Sequence, residues 1–134
     1  MKNAVAHFEI YADDPDGLER FYTSLFDWKV TKMPMAGGHD YRLITSVDTD
    51  EQGKPTKTGG INGGLLKRPD GYGPGAWINY VNVESLDASV ARAKELGAKV
   101  TKGRAPVPGM GWFAMLVDPQ GNNFALWQND PNAA

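Results

Sequence analysis

The sequence predicts an α+β fold made of two βαβββ modules that pair into a curved, cup-shaped sheet. Each half of the chain contains strand-like segments with side chains of period two, and one segment of helical period. The tetrapeptide KVTK occurs at residues 29–32 and again at residues 99–102, each time shortly after a predicted helix. A proline- and glycine-rich segment, residues 67–75, separates the halves. Together these observations indicate an internal duplication.

The first module is expected to open with a strand at residues 5–12, in which His7, Glu9 and Tyr11 share one face. Asp14 follows as a helix N-cap, directly before a proline at the first helical position. Apolar residues at helical spacing then predict a helix that ends near residue 27. The other strands of this module are predicted at residues 28–33, 40–47 and 60–66, with an exposed loop at 48–58 and a turn at 37–38.

After residue 75 the same pattern begins again. A strand is predicted at residues 77–83, followed by a helix that Ser85 caps and Gly97 ends. The remaining strands are predicted at residues 99–102, 111–117 and 123–128. We therefore expect a single domain, residues 1–134, built from modules 1–66 and 76–130 and joined by the linker 67–75.

Composition narrows the classes of function. The chain has 134 residues, a formal net charge of −2 and no cysteine. The absence of a basic stripe argues against nucleic acid and anionic membrane as partners, and the absence of cysteine excludes disulfides, thiolate nucleophiles and cysteine-based zinc sites. No apolar run approaches the ~20 residues of a membrane span. A cytoplasmic location is the expectation that fits these features.

Two stretches carry a resemblance to a known family. HFEIYADDPDGLERFYTSLFDW (residues 7–28) and DPQGNNFALWQ (residues 118–128) resemble the vicinal oxygen chelate superfamily, which includes glyoxalase I, extradiol dioxygenases, fosfomycin-resistance proteins and bleomycin-binding proteins. The second stretch is similar to that family's DP-x-G-N-x-(aromatic or aliphatic)-E-L motif. The resemblance implies the paired βαβββ fold and a homodimer, with modules that pair within one chain or between chains.

The resemblance also identifies four positions that hold histidine and glutamate ligands in metal-dependent members. Here they are His7 on the first strand, Asn62 on the fourth, Ile78 on the fifth and Ala125 on the last. Only His7 matches, so we predict no cofactor and a family metal site that is largely lost. The alternative is a divalent metal in a rebuilt site made of His7, Glu9 and a third donor.

His7 and Glu9 are the candidate catalytic residues, because neighbours of this kind on one strand face could act as an acid–base pair. They could equally anchor a cationic or amide-bearing ligand. The plain alternative is a histidine that is hydrogen-bonded in the core or lines a cavity wall, beside a glutamate paired with lysine or arginine. His39 is expected to be a solvated turn residue.

Aromatic side chains are predicted to line the cup and to bind a planar or apolar small molecule. The alternative is that they fill the space of the former metal site. The predicted ligand-binding residues are Tyr11, Asn62, Ile78, Tyr80, Trp112, Ala125 and Trp127.

Two functions follow as hypotheses. The first is a metal-free small-molecule binder, similar to the bleomycin-binding members of the family. The second is a metal-dependent lyase, isomerase or dioxygenase with the rebuilt site. Lactoylglutathione lyase activity itself is not expected, since a metal stabilises the enediolate in that chemistry. The expected partners are a small-molecule ligand and a second copy of the chain.

Overall fold

Strands and helices follow each other in the same order, β-α-β-β-β, in both halves of the chain. The structure is a computed structural model that describes residues 3–34, 40–56, 59–75 and 77–134. The predicted turn at residues 37–38 and His39 lie outside the described residues. The elements are β1 (Val5–Ala12), α1 (Pro15–Leu25), β2 (Lys29–Pro34), β3 (Asp40–Thr45), β4 (Asn62–Lys67), β5 (Ile78–Asn82), α2 (Leu86–Glu95), β6 (Lys99–Val107), β7 (Gly111–Val117) and β8 (Asn123–Asn129).

The chain divides into two compact units, each described by itself. The first is His7–Trp77, and the second is the chain from Ile78 onward together with residues 3–6. In the first unit the strand order is β2-β3-β4-β1, with β1 and β4 parallel and the other pairs antiparallel. The second unit repeats this arrangement as β6-β7-β8-β5. The predicted α+β fold with duplicated βαβββ modules is confirmed.

Helix α1 begins where its capping residue predicts. The Asp14 carboxylate accepts a hydrogen bond from the backbone amide of Gly17 at 3.1 Å, which satisfies one of the free amides of the first turn. The helix ends at Leu25, two residues before the predicted end. It covers a sheet core of five buried side chains: Phe8, Ile10, Ala12, Ile44 and Leu65.

Two glycines in β4 make room for aromatic rings on both faces of this sheet. A Cβ atom on Gly63 would lie 2.6 Å from the Phe8 ring, and one on Gly64 would overlap the hydroxyl of Tyr41. Glycine inside a strand often marks such a close approach. The glycine-rich sequence of β4 is therefore a packing requirement of the first unit.

The second unit repeats the packing with α2 as the cover. Ser85 Oγ accepts from the amide of Ala88 at 3.2 Å, and the side-chain oxygen of Gln128 accepts from the amide of Leu86 at 2.7 Å. Gly97 has a φ of 104°, the left-handed conformation expected at a helix C-terminus. The buried core consists of Val83, Leu86, Ala114, Leu116 and Leu126.

Strand β6 is longer than predicted. It runs through Gly103 and Pro106 to Val107, whereas the predicted strand ended at residue 102. Its pairing with β7 shifts register on both sides of Lys102, as β-bulges do. Proline and bulges are tolerated at the side of a strand that is not paired. Neither helix in the described part of the chain is long and apolar enough to cross a membrane.

Candidate functional site

The face of the first unit's sheet opposite α1 carries polar and aromatic side chains. Since Phe8 and Ile10 point into the core beneath α1, strand alternation places His7, Glu9 and Tyr11 on the opposite face. Tyr41 of β3 joins them there, and sequence analysis had missed it. This face is the candidate functional site of the first unit.

Hydrogen bonds join three of these side chains into what we call the His7–Tyr41–Glu9 cluster. The Tyr41 hydroxyl donates to Glu9 Oε2 at 2.9 Å, and His7 Nε2 lies 2.8 Å from the same hydroxyl oxygen. Because the Tyr41 proton is directed to Glu9, the bond from His7 requires a hydrogen on Nε2. His7 Nε2 and Glu9 Oε2 are 3.8 Å apart. The phenol therefore links the imidazole to the carboxylate.

Burial decides the role of each member. The Glu9 side chain is only 11% exposed, whereas the His7 side chain is 31% exposed. Burial, and next the negative charge of Glu9, raise the pKa of Tyr41 far above its usual value, and the same two causes raise the pKa of Tyr11. Both phenols therefore stay protonated at neutral pH. Tyr41 is a hydrogen-bond donor to the carboxylate, and the His7 side chain is more exposed than that of Glu9.

The register of β4 shows which first-unit position corresponds to Ala125. Glu9 is paired in register with Gly64 and lies five residues before the N-cap of α1. Likewise, Tyr80 is paired in register with Ala125 and lies five residues before the N-cap of α2. Gly64 is thus the internal counterpart of Ala125, and Asn62 lies two residues earlier, beside His7. Neither Gly64 nor Ala125 has a side-chain donor atom.

Asn62 has a structural contact of its own. Its Oδ1 accepts from the backbone amides of Ser46 at 2.8 Å and Val47 at 3.1 Å. These bonds hold the end of β3 against the start of β4. The side-chain oxygen that a metal or ligand would need is thereby already bonded to the backbone.

In the second unit, the sheet face opposite α2 is apolar and aromatic. Tyr80 and Ala125 lie in register and are 6% and 0% exposed, and the Tyr80 hydroxyl contacts the sulfur of Met115 at 3.8 Å. Ile78 and Trp127 share this face by strand alternation. The ring of Phe113, in register with Trp127, lies 6.4 Å from the Tyr80 ring, centroid to centroid.

Trp112 lies on the opposite face of that sheet. It packs with the α2 core, donates from Nε1 to Asp130 at 2.9 Å, and stacks against the Arg104 guanidinium at 4.1 Å. Because alternation in β7 places Ala114 beneath α2, Trp112 must point the same way. The structure therefore does not bring it together with Tyr80 and Trp127. Phe113 and Met115 occupy that face, and sequence analysis missed them. The alternation of side chains along β7 could have identified both.

Few donor atoms are available at the four positions that the family resemblance singles out as metal ligands. Ile78 and Ala125 are buried and donate nothing, Asn62 is bonded to the backbone, and only His7 offers an imidazole. In the part of the chain that the structure describes, no three histidine or carboxylate side chains are grouped to hold an ion. A stable metal site needs three or four such donors.

Sequence comparison places the chain in a family. The sequence model of the family described as Glyoxalase-like domain matches residues 7–127. Curated proteins from Mycobacterium bovis (strain ATCC BAA-935 / AF2122/97) and Mycobacterium tuberculosis (strain CDC 1551 / Oshkosh), both named "Putative glyoxylase CFP32", are 30% identical over 123 residues. That match covers 92% of this chain and 43% of the relatives. The chain thus spans less than half the length of these curated relatives.

Solved structures share the fold at low sequence identity. A methylmalonyl-CoA epimerase in complex with methylmalonyl-CoA and NH4+ superposes with a TM-score of 0.67 and 19% identity over 98% of each chain. The hypothetical protein BH1468 from Bacillus halodurans C-125 gives a TM-score of 0.67 and 15% identity, covering 100% of this chain and 99% of that one. These likenesses concern the fold alone. The family match over residues 7–127 and the repeated βαβββ units show that the chain belongs to the glyoxalase-like domain family of the vicinal oxygen chelate superfamily.

Proposed function

We propose that this chain is a glyoxalase-like small-molecule binder that works without the family metal. The observation that carries the proposal is the His7–Tyr41–Glu9 cluster, which holds a nearly buried carboxylate on a sheet face that also presents Tyr11. A hydrogen-bonded polar group beside aromatic surface is the usual composition of a small-molecule site.

His7 is the residue that we expect to contact the ligand. Its side chain is 31% exposed, against 11% for Glu9, and its Nε2 is held by Tyr41, which Glu9 holds in turn. Fixing a polar side chain before the ligand arrives reduces the entropy lost on binding. Tyr41 and Glu9 are then positioning residues, and Tyr11 offers an aromatic surface for a planar ligand.

The second unit supplies a surface of different character. Tyr80, Phe113 and Trp127 present rings on the face opposite α2, and the same face holds Ile78 and Ala125, which the family resemblance predicts as ligand positions. These residues favour contact with apolar groups over metal coordination. The predicted ligand-binding residues Asn62 and Trp112 are the weaker candidates, because both make structural hydrogen bonds.

One observation favours a second function. His7 Nε2 and Glu9 Oε2 lie 3.8 Å apart on the same face, so two of the donors of a rebuilt metal site are already neighbours. With a third donor, this would be a metal-dependent lyase, isomerase or dioxygenase. The metal would have to displace the Tyr41 hydroxyl from between them.

Metal content separates the two functions. We would measure it by elemental mass spectrometry on untagged protein, purified without chelator and then incubated with zinc, nickel, manganese or iron(II). Protein that stays metal-free supports the binder. About one equivalent of metal per chain that is lost in His7→Ala would establish the second function instead.

Ligand binding is then tested by thermal shift with aromatic small molecules and with acyl-CoA thioesters, since a solved structure of the same fold is an acyl-CoA complex. A true ligand should raise the melting temperature of the wild type and of the control Ser24→Ala, an exposed position on α1. The shift should be lost in His7→Ala. Equal shifts in all three proteins would place binding elsewhere.

A further inference from the structure

The four strands of the second unit contain three cationic side chains and no aspartate or glutamate. The cations are Lys99, Lys102 and Arg104, all on β6. Arg104 donates to Asp87 of α2 at 2.9 Å, so the helix supplies the carboxylate that neutralises it. In the part of the chain that the structure describes, Lys102 has no carboxylate within ion-pair distance. The sheet of this unit therefore carries positive charge that its own side chains do not compensate.

A bulge in β6 determines which face of the sheet Lys102 occupies. Val100 pairs with Leu116, and both belong to the core beneath α2. In a regular strand, the side chain two residues further on would point the same way. The register instead shifts by one residue after Val100 and pairs Lys102 with Met115, on the face opposite α2. Bulges next to functional sites re-aim side chains in this way.

A second register shift, between Lys102 and Ala105, returns the next cation to the helix side. Arg104 stacks there on the Trp112 ring at 4.1 Å and reaches Asp87. Two neighbouring cations of one strand thus point to opposite faces of the sheet. Asp87 neutralises the one on the helix side, and Lys102 stays charged on the face that presents the aromatic rings.

Lys102 lies directly beside the rings of that face. Its Nζ is 5.4 Å from the centroid of the Phe113 ring, a cation–π contact. Phe113 pairs in register with Trp127, whose indole Nε1 donates to Asn129 at 2.9 Å. Lys102 is exposed and both rings are partly exposed, so a small molecule can reach all three. We call these residues the Lys102–Phe113–Trp127 surface.

We propose that the Lys102–Phe113–Trp127 surface selects planar aromatic ligands that carry a carboxylate. The two rings favour a planar apolar body, and the ammonium group of Lys102 attracts a negative charge beside them. This selectivity rests on the proposed function, because it names the class of small molecule that the binder takes. Lys102 is a specificity-determining residue and has no part in a chemical step.

The experiment is isothermal titration calorimetry of the full chain with two probes of the same shape, cinnamate and its neutral analogue cinnamamide. At neutral pH and low salt, the wild type should bind cinnamate about fivefold more tightly, the size expected of a partly exposed ion pair. Added salt should reduce this preference, because it screens exposed charges.

Three variants locate the preference. Lys102→Gln should reduce it to less than about twofold and leave the affinity for cinnamamide unchanged, since only the charge is removed. Trp127→Leu should instead weaken the binding of both probes alike, because both contact the ring. The control Lys94→Gln, at an exposed lysine of α2, should keep the wild-type preference. Lys102 is exposed, so its variant tests the charge even if Trp127→Leu does not fold.

Charge selectivity and small-molecule binding fail in different ways. Equal affinity of the wild type for both probes, or a preference that Lys102→Gln retains, would overturn the selectivity and leave small-molecule binding standing. If neither probe binds the wild type at millimolar concentration, binding of planar aromatic molecules is itself contradicted, and the selectivity with it.

Discussion

At the scale of single residues, Gly64 determines whether the His7–Tyr41–Glu9 cluster can form. The Tyr41 ring occupies the space where any other residue at position 64 would place its Cβ. Tyr41 in turn supplies the hydroxyl that reaches the Glu9 carboxylate. A buried carboxylate without such a donor is costly. The absence of a side chain at Gly64 therefore stabilises the Glu9 carboxylate indirectly.

Gly64→Ala should therefore lower the free energy of unfolding by about 1–3 kcal/mol, the usual cost of overpacking. The new methyl group must displace the Tyr41 ring and break its bonds to His7 and Glu9. Urea denaturation measures the loss. The control Gly103→Ala, where an added Cβ meets nothing within 4 Å, should be close to neutral. Equal stability of both variants would show that Tyr41 can move without cost.

At the scale of elements, one arginine attaches α1 to its sheet. Arg42 lies on the helix side of β3, is 6% exposed, and donates to Asp16 at 2.6 Å and to Glu19 at 2.9 Å. The hydrogen bond from Arg42, and then its positive charge, lower the pKa of Asp16. Two carboxylates about one turn apart on α1 thus hold a buried cation, in addition to the partly buried Leu18 and Tyr22 that pack against the core.

This pair predicts a pH dependence. The pKa of Asp16 is lower in the folded than in the unfolded protein. Its contribution to the free energy of unfolding is therefore fully present above the pKa of the unfolded state, about 3.9. The contribution disappears as the pH falls through the lower folded value. In urea denaturation at pH 6, the wild type should have a larger free energy of unfolding than Asp16→Asn. This difference should disappear as the pH is lowered toward 2.

Asp70→Asn, an exposed turn carboxylate, is the control, and its difference from wild type should stay small throughout. A gap for Asp16→Asn that does not change with pH would mean that the Arg42 interaction does not depend on the Asp16 charge.

At the scale of the whole molecule, the duplication produces two separate cores. Leu65 is 1% exposed in the first core, and Leu116 is fully buried in the second. Removing either side chain to alanine leaves a cavity and should cost about 2–5 kcal/mol. Each core belongs to its own compact unit, so local opening should follow the units.

We expect Leu65→Ala to accelerate amide hydrogen exchange mainly within His7–Trp77, and Leu116→Ala mainly from Ile78 onward. Exchange measured by mass spectrometry on peptides from both units tests this, with each variant as the control for the other. Uniform acceleration across the chain in both variants would show that the two cores unfold as one cooperative body.

Sequence analysis succeeded where the signal was local. Asp14 and Ser85 cap their helices, and His7, Glu9 and Tyr11 share a strand face, because capping and alternation depend on neighbouring residues. It was less successful with β6, which continues past the predicted end at residue 102 to Val107 and includes a glycine and a proline, residue types that are disfavoured inside strands. It missed Tyr41, because nothing near position 41 indicates that its hydroxyl reaches a carboxylate 32 residues earlier.

By itself, the sequence determined the α+β class, the duplication and the absence of donor atoms in the side chains of Ile78 and Ala125. These depend on periodicity, repetition and side-chain identity, which are visible in a single chain. Only the tertiary structure decided that Gly64 corresponds to Ala125, that Trp112 lies beneath α2, and that Tyr41 joins His7 to Glu9. The physical reason is strand register: a shift by one residue reverses every side chain of a strand, and it is set by pairing between distant segments.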